Sequence, residues 1–384
     1  MENSTVPILP EHTETHFLAE GAANIVYQIT VKSPPSDEPR QTELEHCGAG
    51  TPPPSEIELE TDSIDEIFFD NKLLRLRKDL PTTLPCAVAQ DAWVRLIRPL
   101  FAESQLVYQG IVGVRAGNII SRLNKELESL PRLAKRRGVM LADDDYGLLV
   151  TAMTPASPGE TIVQFKPKWL VQSPSAPSDA RRCRTCAKVA RKNSLIDREN
   201  DMTDVTGKPN LPHEKTFCPL KLVSGNREHI ASCAKIILGP RATQAELNRF
   251  VAWLSTTTLL RRLRDCQQAM DTQGVMQPDL SNEKLLVAMT LRDCTVFVRF
   301  PDGPIRDVRR LEARIGDLDV KSPDKAKYWK DTERPLIEEG WYVNGEAIER
   351  TQKSDCLLRG SGPMWHRRGD DIETRYSAAF SRMR

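Results

Sequence analysis

Long apolar runs are missing from this chain. No stretch of its 384 residues approaches the ~20 apolar residues needed to cross a bilayer, and the start, Met1-Glu2-Asn3-Ser4-Thr5, has neither the basic nor the apolar region of a secretory leader. No membrane partner is expected, and the chain reads as soluble and intracellular. A dense cysteine framework is missing too. Nine cysteines, an odd number, are scattered along the chain, which fits a reducing compartment and small core thiols better than a disulfide scaffold. Net charge is nearly absent at +1, but it is unevenly spread. Residues 31–70 hold eleven acids against two bases, Lys32 and Arg40, a local balance of −9 that leaves +10 on the rest.

What is present suits a globular protein of roughly two domains of about 150 residues each, with 39% hydrophobic residues to build its cores. Two stretches concentrate carboxylates. Ile315-Gly316-Asp317-Leu318-Asp319-Val320-Lys321, read as a strand, sets Ile315, Asp317, Asp319 and Lys321 on one side and Leu318 and Val320 on the other. Asp293 opens the β-branched and aromatic run that ends at Phe300. A carboxylate for a metal beside one for a hydroxyl proton is what phosphoryl transfer requires.

Residues 1–18 show no clear pattern. Glu20-Gly21-Ala22-Ala23-Asn24 is a small-residue turn feeding a strand; it reads either as an ordinary hairpin turn or as backbone amides placed to approach a phosphate. Residues 31–63 are acidic and Pro-rich, and are expected to be a disordered insertion. In Lys72–Arg77, Leu74 and Leu76 alternate with Leu73, Arg75 and Arg77; Arg75 either grips an anion or decorates a solvated face. Trp93, Leu96, Ile97 and Leu100, and then Ile120, Leu123, Leu127 and Leu130, have helical spacing, with a strand between them in 105–114. The basic run 132–137 reads as a solvated surface, and Tyr146–Met153 as a buried strand.

Thr154-Pro155-Ala156-Ser157-Pro158-Gly159 marks the boundary between an N-terminal lobe, 1–157, and a C-terminal lobe, 158–350, followed by a loosely attached tail, 351–384. In 161–168, Gln164, Lys166 and Lys168 share a face by period two and Pro167 marks an edge. Two lysines about 6 to 7 Å apart suit a dense anion, although edge strands also carry lysine against aggregation. Residues 181–192 hold six bases and no acid; Cys183 and Cys186 there have zinc-knuckle spacing, but no second pair follows at finger spacing, and His213 and Cys218 are the nearest further candidates. Segments 226–238, 243–254 and 256–270 read as helices. Ser322-Pro323 is an N-cap with proline at the first helical position, after which Lys321, Lys325 and Trp329 fall on one face.

Taken in order, the 20–24 turn, the Arg75 strand, Gln164-Phe165-Lys166-Pro167-Lys168, Cys183-Arg184-Thr185-Cys186, Phe217-Cys218-Pro219-Leu220, 289–294 and Asp317-Leu318-Asp319-Val320-Lys321 resemble the inositol-pentakisphosphate 2-kinases. The resemblance runs from about residue 20 to residue 330. It implies an α+β, two-lobed inositol-phosphate kinase fold distantly similar to protein kinases, with ATP and Mg2+ as cofactors. It also implies transfer of the ATP γ-phosphate to the 2-hydroxyl of inositol pentakisphosphate, giving phytate. On this reading Asp293 is the base and Lys166 assists the transferring group. Asp317 and Asp319 hold the metal; Glu20, Gly21, Ala22, Ala23, Asn24, Arg75 and Gln164 serve the nucleotide; and Lys166, Lys168, Lys188, Asn248, Arg249, Lys321 and Lys325 serve the substrate. A monomer is expected, in nucleus and/or cytoplasm, with no nucleic-acid partner. Zinc at Cys183 and Cys186 is not the favoured reading.

The chain departs from the family at four points. Gln164 stands where the motif has an acid, Ala22 replaces a second glycine, Trp329 replaces one of two tyrosines, and no histidine follows the Cys-x-x-Cys element. Three other readings compete: a different inositol-phosphate kinase on the same scaffold, a zinc-stabilised nucleic-acid module built on the basic run, and an inactive scaffold that only binds inositol phosphates.

Overall fold

The computed structural model describes residues 6–31, 68–203, 210–303, 308, 311–343 and 355–359. The acidic insertion from residue 32, and the tail except 355–359, lie outside the described residues. The fold is α+β. The chain forms two compact units, one from residues up to Val88 with Tyr108–Ala152, the other from Ala89–Val107 with Met153 onward. No helix among the described residues is long and apolar enough to cross a membrane.

The first unit is an antiparallel sheet of β1 (Glu14–Glu20), β2 (Asn24–Thr30), β3 (Lys72–Arg77), β4 (Gln109–Gly113) and β5 (Tyr146–Thr151), ordered β1-β2-β3-β5-β4. Helix α1 (Cys86–Ala92) leaves this unit, and α2 (Ile119–Ser129) packs onto the sheet. The alternation expected in β3 holds: Leu74 and Leu76 enter a core with Ile25, Tyr27, Val112, Ile119, Leu123 and Leu127. A β-carbon at Gly147 would lie 2.8 Å from Leu76 and 2.9 Å from Leu74, so only glycine lets β5 approach there. The first 18 residues are not patternless after all, since β1 begins within them at Glu14. Its side chains are mostly exposed because it is an edge strand, which removes the alternation that would have marked it.

The basic run 132–137 is also not simply a solvated surface. Arg132 is buried and donates to both carboxylate oxygens of Glu20 at 3.1 and 2.6 Å, while Lys78 reaches Glu20 at 2.5 Å and the Gly21 carbonyl at 2.8 Å. Glu20 therefore clamps the hairpin turn from inside.

The second unit has a three-stranded antiparallel sheet, β6 (Thr161–Phe165), β7 (Thr295–Phe300) and β8 (Ala313–Gly316), in that order. Around it stand α3 (Arg184–Thr203), α4 (Pro219–Leu222), α5 (Arg227–Leu238), α6 (Gln244–Thr256), α7 (Leu259–Met270), α8 (Lys284–Leu291) and α9 (Ala326–Glu338). Local chemistry explains several starts. Asn226 caps α5 by accepting from Glu228 and His229 amides, and Thr243 with Glu246 forms a capping box on α6. Ser322 accepts from the Asp324 amide ahead of Pro323, as its sequence suggests. The 93–100 segment is buried as its spacing predicts, but as a π turn followed by a 3-10 turn rather than one regular helix. Pro99 lacks the amide that would continue the α ladder. Phe165, Phe250 and Phe300 meet edge to face, and Phe250 stacks on Trp253, in a core between sheet and helices.

Burial raises the Glu20 pKa, but hydrogen bonds and charge from Arg132 and Lys78 outweigh it and bring the group from 4.5 to about 2. A depressed carboxylate pKa gives stability that is complete above pH 4.5 and is lost as pH falls towards 2. Glu20→Gln is expected to lower stability by about 3 kcal/mol at pH 7, with the gap to wild type closing near pH 2. Denaturation midpoints at the two pH values read this; a constant gap would rule out the ion cluster as its source.

Candidate active site

The residues that converge come from three separate segments of the second unit. Helix α8 ends at Leu291, Asp293 donates its amide to the Thr290 carbonyl in the turn that follows, and β7 begins at Thr295. The edge strand β6, paired to β7 through Phe165 and Val296, delivers Lys166 and Lys168 beside that turn. The third segment follows β8. Here the expected strand stops at Gly316, because Asp317 takes φ +59, a left-handed conformation that breaks the alternation. Ile315 is fully buried while Asp317 is 59% exposed, so the two do not share a face as a continuous strand would require. Lys168 likewise has φ +59, so period two does not set its direction either.

Asp293 is the hub. Lys321 Nζ donates to its Oδ2 at 2.8 Å, and Lys168 and Lys166 stand 3.5 and 3.6 Å from Oδ1. Lys166 also donates to the Asp293 main-chain oxygen at 2.6 Å and lies 3.4 Å from Asp317 Oδ2, which accepts from Thr295 Oγ1 at 3.0 Å. One ammonium thus bridges the two aspartates. Burial raises the Asp293 pKa, yet the Lys321 hydrogen bond and the three lysine charges prevail, from 3.8 down to about 2. Lys325 is within electrostatic reach of both Lys321 and Asp293; its own pKa is lowered, first by burial and then by Lys321. Lys321, Lys325 and Trp329 are not a surface ladder, because Trp329 is buried with Trp169.

Buried side chains hold these segments together. Gln267, on α7, accepts from the Leu170 amide at 2.9 Å and donates to the carbonyls of Lys168 and Leu291 at 2.9 and 3.1 Å. Thr290 accepts the Lys321 amide at 3.0 Å and donates to the Leu286 carbonyl at 2.8 Å. Arg292, next to Asp293, pairs with buried Asp271 at 2.6 Å and lies 3.6 Å from the centre of the Trp169 ring. None of these was singled out from the sequence. Gln267 had one visible signal: it is a polar residue on the apolar stripe of Leu263, Cys266 and Met270.

The other expected site residues are placed as follows. Asp319 lies two residues past Asp317, its main-chain oxygen 3.5 Å from Thr290 Oγ1. Gln164 is exposed on edge strand β6, opposite Phe297. Lys188 is exposed on α3. Asn248 and Arg249 lie on α6; Asn248 accepts from Gln244, and Arg249 lines a small recess with Thr161 and Phe300. Thr161 is the end of β6 opposite to Phe165, which is four residues or about 13 Å away along the strand and still one residue short of Lys166, so the structure does not bring Asn248 and Arg249 into the Asp293 cluster. In the first unit, Ala22 and Ala23 lie in the β1–β2 turn, whose ends Gly21 and Asn24 are joined by a hydrogen bond of 2.9 Å. Arg75 is buried there, with Nη2 on Gln109 Oε1 at 2.9 Å, so its face of β3 is not a solvated one.

The basic run 181–192 spends much of its charge internally. Arg182 is buried, Arg184 pairs with buried Glu333 at 2.5 Å and lies over Trp169, Arg191 pairs with Glu339, and Lys192 with Glu214.

Comparison with known proteins identifies the family. A family model described as inositol-pentakisphosphate 2-kinase matches residues 17–335. A protein of Yarrowia lipolytica (strain CLIB 122 / E 150), called inositol-pentakisphosphate 2-kinase, is 29% identical over 203 residues, 51% of this chain and 56% of that protein. The chain thus matches little more than half the length of that curated relative. The family match extends from within β1 into α9 and contains the Asp293 cluster, and the chain belongs to the inositol-pentakisphosphate 2-kinase family.

Proposed function

We propose that this chain transfers the γ-phosphoryl group of ATP to the 2-hydroxyl of inositol 1,3,4,5,6-pentakisphosphate, giving inositol hexakisphosphate. The observation that carries the reading is the single carboxylate of Asp293 surrounded by three ammonium groups and joined through Lys166 to a second, exposed carboxylate. Five phosphate esters carry roughly −7.5 to −10 in charge. Lys166, Lys168, Lys321 and Lys325 offer compact positive charge at one place, and the first three have only Asp293 and Asp317 to neutralise them in the described contacts. The internal use of Arg182, Arg184, Arg191 and Lys192 supports leaving nucleic acid aside.

In this mechanism Asp293 orients the attacking hydroxyl and takes its proton. Its low pKa keeps it charged, and a strong base is not needed when the transition state is loose and the proton leaves late. Phosphates that draw Lys166, Lys168 and Lys321 away from Asp293 would relax the depression and make it a better acceptor. Asp317 fits a magnesium ligand: it is a hard oxygen donor, exposed, and fixed by Thr295. Magnesium would supply charge neutralisation on the nucleotide phosphates. Asp319 is proposed as a second ligand, and the 20–24 turn, Arg75 and Gln164 as nucleotide contacts, on the family resemblance.

Asp293→Asn is expected to slow phosphorylation of inositol pentakisphosphate by about 10²- to 10⁴-fold while calorimetry still detects substrate binding. The wild-type kcat/KM, which reports the free enzyme, should show no ionisation of Asp293 above about pH 4, because its pKa there lies near 2. An assay resolving ring positions checks the product; undiminished turnover in the variant, or phosphate on another hydroxyl, would refute the assignment. Gln267→Leu, which leaves two buried carbonyls and an amide without their partner, is expected to cost about 1–3 kcal/mol. It should also lower kcat without touching substrate. Thermal unfolding and steady-state rates measured together test this, and a normal kcat would remove Gln267 as a positioning residue.

A further inference from the structure

Three groups of the candidate site are chain neighbours of one buried cluster. Lys168 precedes Trp169, Asp293 follows Arg292, and Lys321 follows Val320. Trp169 is buried with Leu285, Leu286 and Met289 of α8 and with Trp329 of α9, and Val320 packs against the same group. Two guanidinium carbons lie over its ring, that of Arg292 at 3.6 Å and that of Arg184 at 4.2 Å from the centre. Both are well inside the ~6 Å at which a ring face attracts a cation.

Neither cation depends on the ring for its counter-charge. Arg292 pairs with Asp271 at 2.6 Å, and Asp271 also accepts from the Gly274 amide at 2.7 Å. Arg184 pairs with Glu333 at 2.5 Å, and the fully buried Glu333 accepts as well from Ser173 Oγ at 2.8 Å and Tyr342 Oη at 2.5 Å. Two cations against two carboxylates leave the assembly neutral, so it adds no attraction for an anion. What the ring adds is a flat surface on which planar guanidiniums rest at a fixed height. Glu333 stands four residues after Trp329 on α9, so one face of that helix carries both contacts. Burying two ion pairs costs desolvation that apolar packing would avoid; the chain neighbours of the stack supply a reason for keeping them.

We propose that Trp169 is a positioning residue for the phosphoryl transfer: its ring, with Arg292 stacked on it, sets the spacing of Lys168 from Asp293, 3.5 Å between Nζ and Oδ1. The proposal rests on the kinase reading above for what this spacing serves. Trp169 is buried and acts through its neighbours. A change in the ring moves an anion-binding ammonium relative to the base, and a misplacement of about 1 Å can cost on the order of 10²-fold in rate.

Trp169→Leu, which keeps apolar bulk and removes the ring face, is expected to lower kcat for inositol pentakisphosphate by about 10²-fold with KM little changed, the pattern of a contribution felt in the transition state. Trp169→Phe, which retains an aromatic face, should recover most of the loss. Arg292→Lys, which keeps a charge for Asp271 but has no plane to stack, should share the loss. Ile230→Ala, in a separate core cluster, controls for destabilisation alone and should unfold at a lower temperature with kcat intact. A second readout needs no reaction: acetylation of Lys168 by an amine reagent on the free protein, mapped by mass spectrometry. It should run several-fold faster in Trp169→Leu and Arg292→Lys, because an ammonium released from Asp293 meets the reagent more freely. A kcat loss that Ile230→Ala reproduces, or that Trp169→Phe fails to recover, would overturn the proposal. Faster labelling in a protein that makes no hexakisphosphate would sink the kinase reading and leave the spacing role of Trp169 in place. Labelling that stays at the wild-type rate in both variants would remove that role whatever the reaction.

Discussion

Three chain segments reach one carboxylate because Gln267 and Thr290 fasten their backbones to the same buried helix. Helix α8 is buried on almost every side, so it is a fixed reference within its unit. Gln267 joins the backbone after β6 to the end of that helix, and Thr290 joins the backbone before α9 to it. Each amide–carbonyl contact contributes only about 1 kcal/mol net, but leaving the buried partners unsatisfied costs more than forming them gains. Placement of Lys168 and Lys321 around Asp293 is therefore enforced from below the site, by groups no substrate would touch.

Polar contacts also sustain two unfavourable backbone conformations. Lys168 and Asp317 both have φ +59, a region in which a side chain with a β-carbon is disfavoured by roughly 1–2 kcal/mol. Both residues are where a strand gives way to the site, and both would otherwise follow the alternation of β6 or β8. The strain persists because hydrogen bonds on either side over-determine the geometry. Leu170 and Lys168 are held by Gln267, while Asp317 is held by Thr295 and Lys166.

Much of the α+β fold was legible because burial leaves a periodic trace. Leu74 with Leu76, the spacing of Ile119, Leu123 and Leu127 near its expected stripe, the helical segments beginning at residues 226 and 243, and the cap at Ser322 all reflect local rules. The Asp293, Asp317, Lys166, Lys168 and Lys321 set was legible through motifs. What escaped was of two kinds. Exposed β1 carries no alternation, and the left-handed turn at Asp317 has no glycine to announce it. Long-range polar contacts, such as Arg132 with Glu20 or Cys356 with Cys183, depend on a fold that brings together residues more than 100 positions apart. Composition around each partner is uninformative until the partner is known.

The two kinds of base in this chain divide the labour accordingly. Arg132, Arg184 and Arg292 are buried against Glu20, Glu333 and Asp271, and two of the three also lie over the Trp169 ring. A guanidinium suits such places because it is planar, weakly hydrated and able to satisfy several acceptors at once. Arg184 and Arg292 each have a carboxylate of their own, and Arg132 shares Glu20 with Lys78. At the candidate site the order is reversed: Lys166, Lys168 and Lys321 share Asp293, whose side chain is 45% exposed, with Asp317 as the second acid in contact with Lys166. Three ammoniums against two carboxylates leave a local surplus of positive charge, on flexible stems that can turn towards a ligand. The one-to-one pairs of Arg184 and Arg292 already cancel within the net +10 outside the acidic stretch, whereas the Asp293 cluster carries an excess of one positive charge in the described contacts.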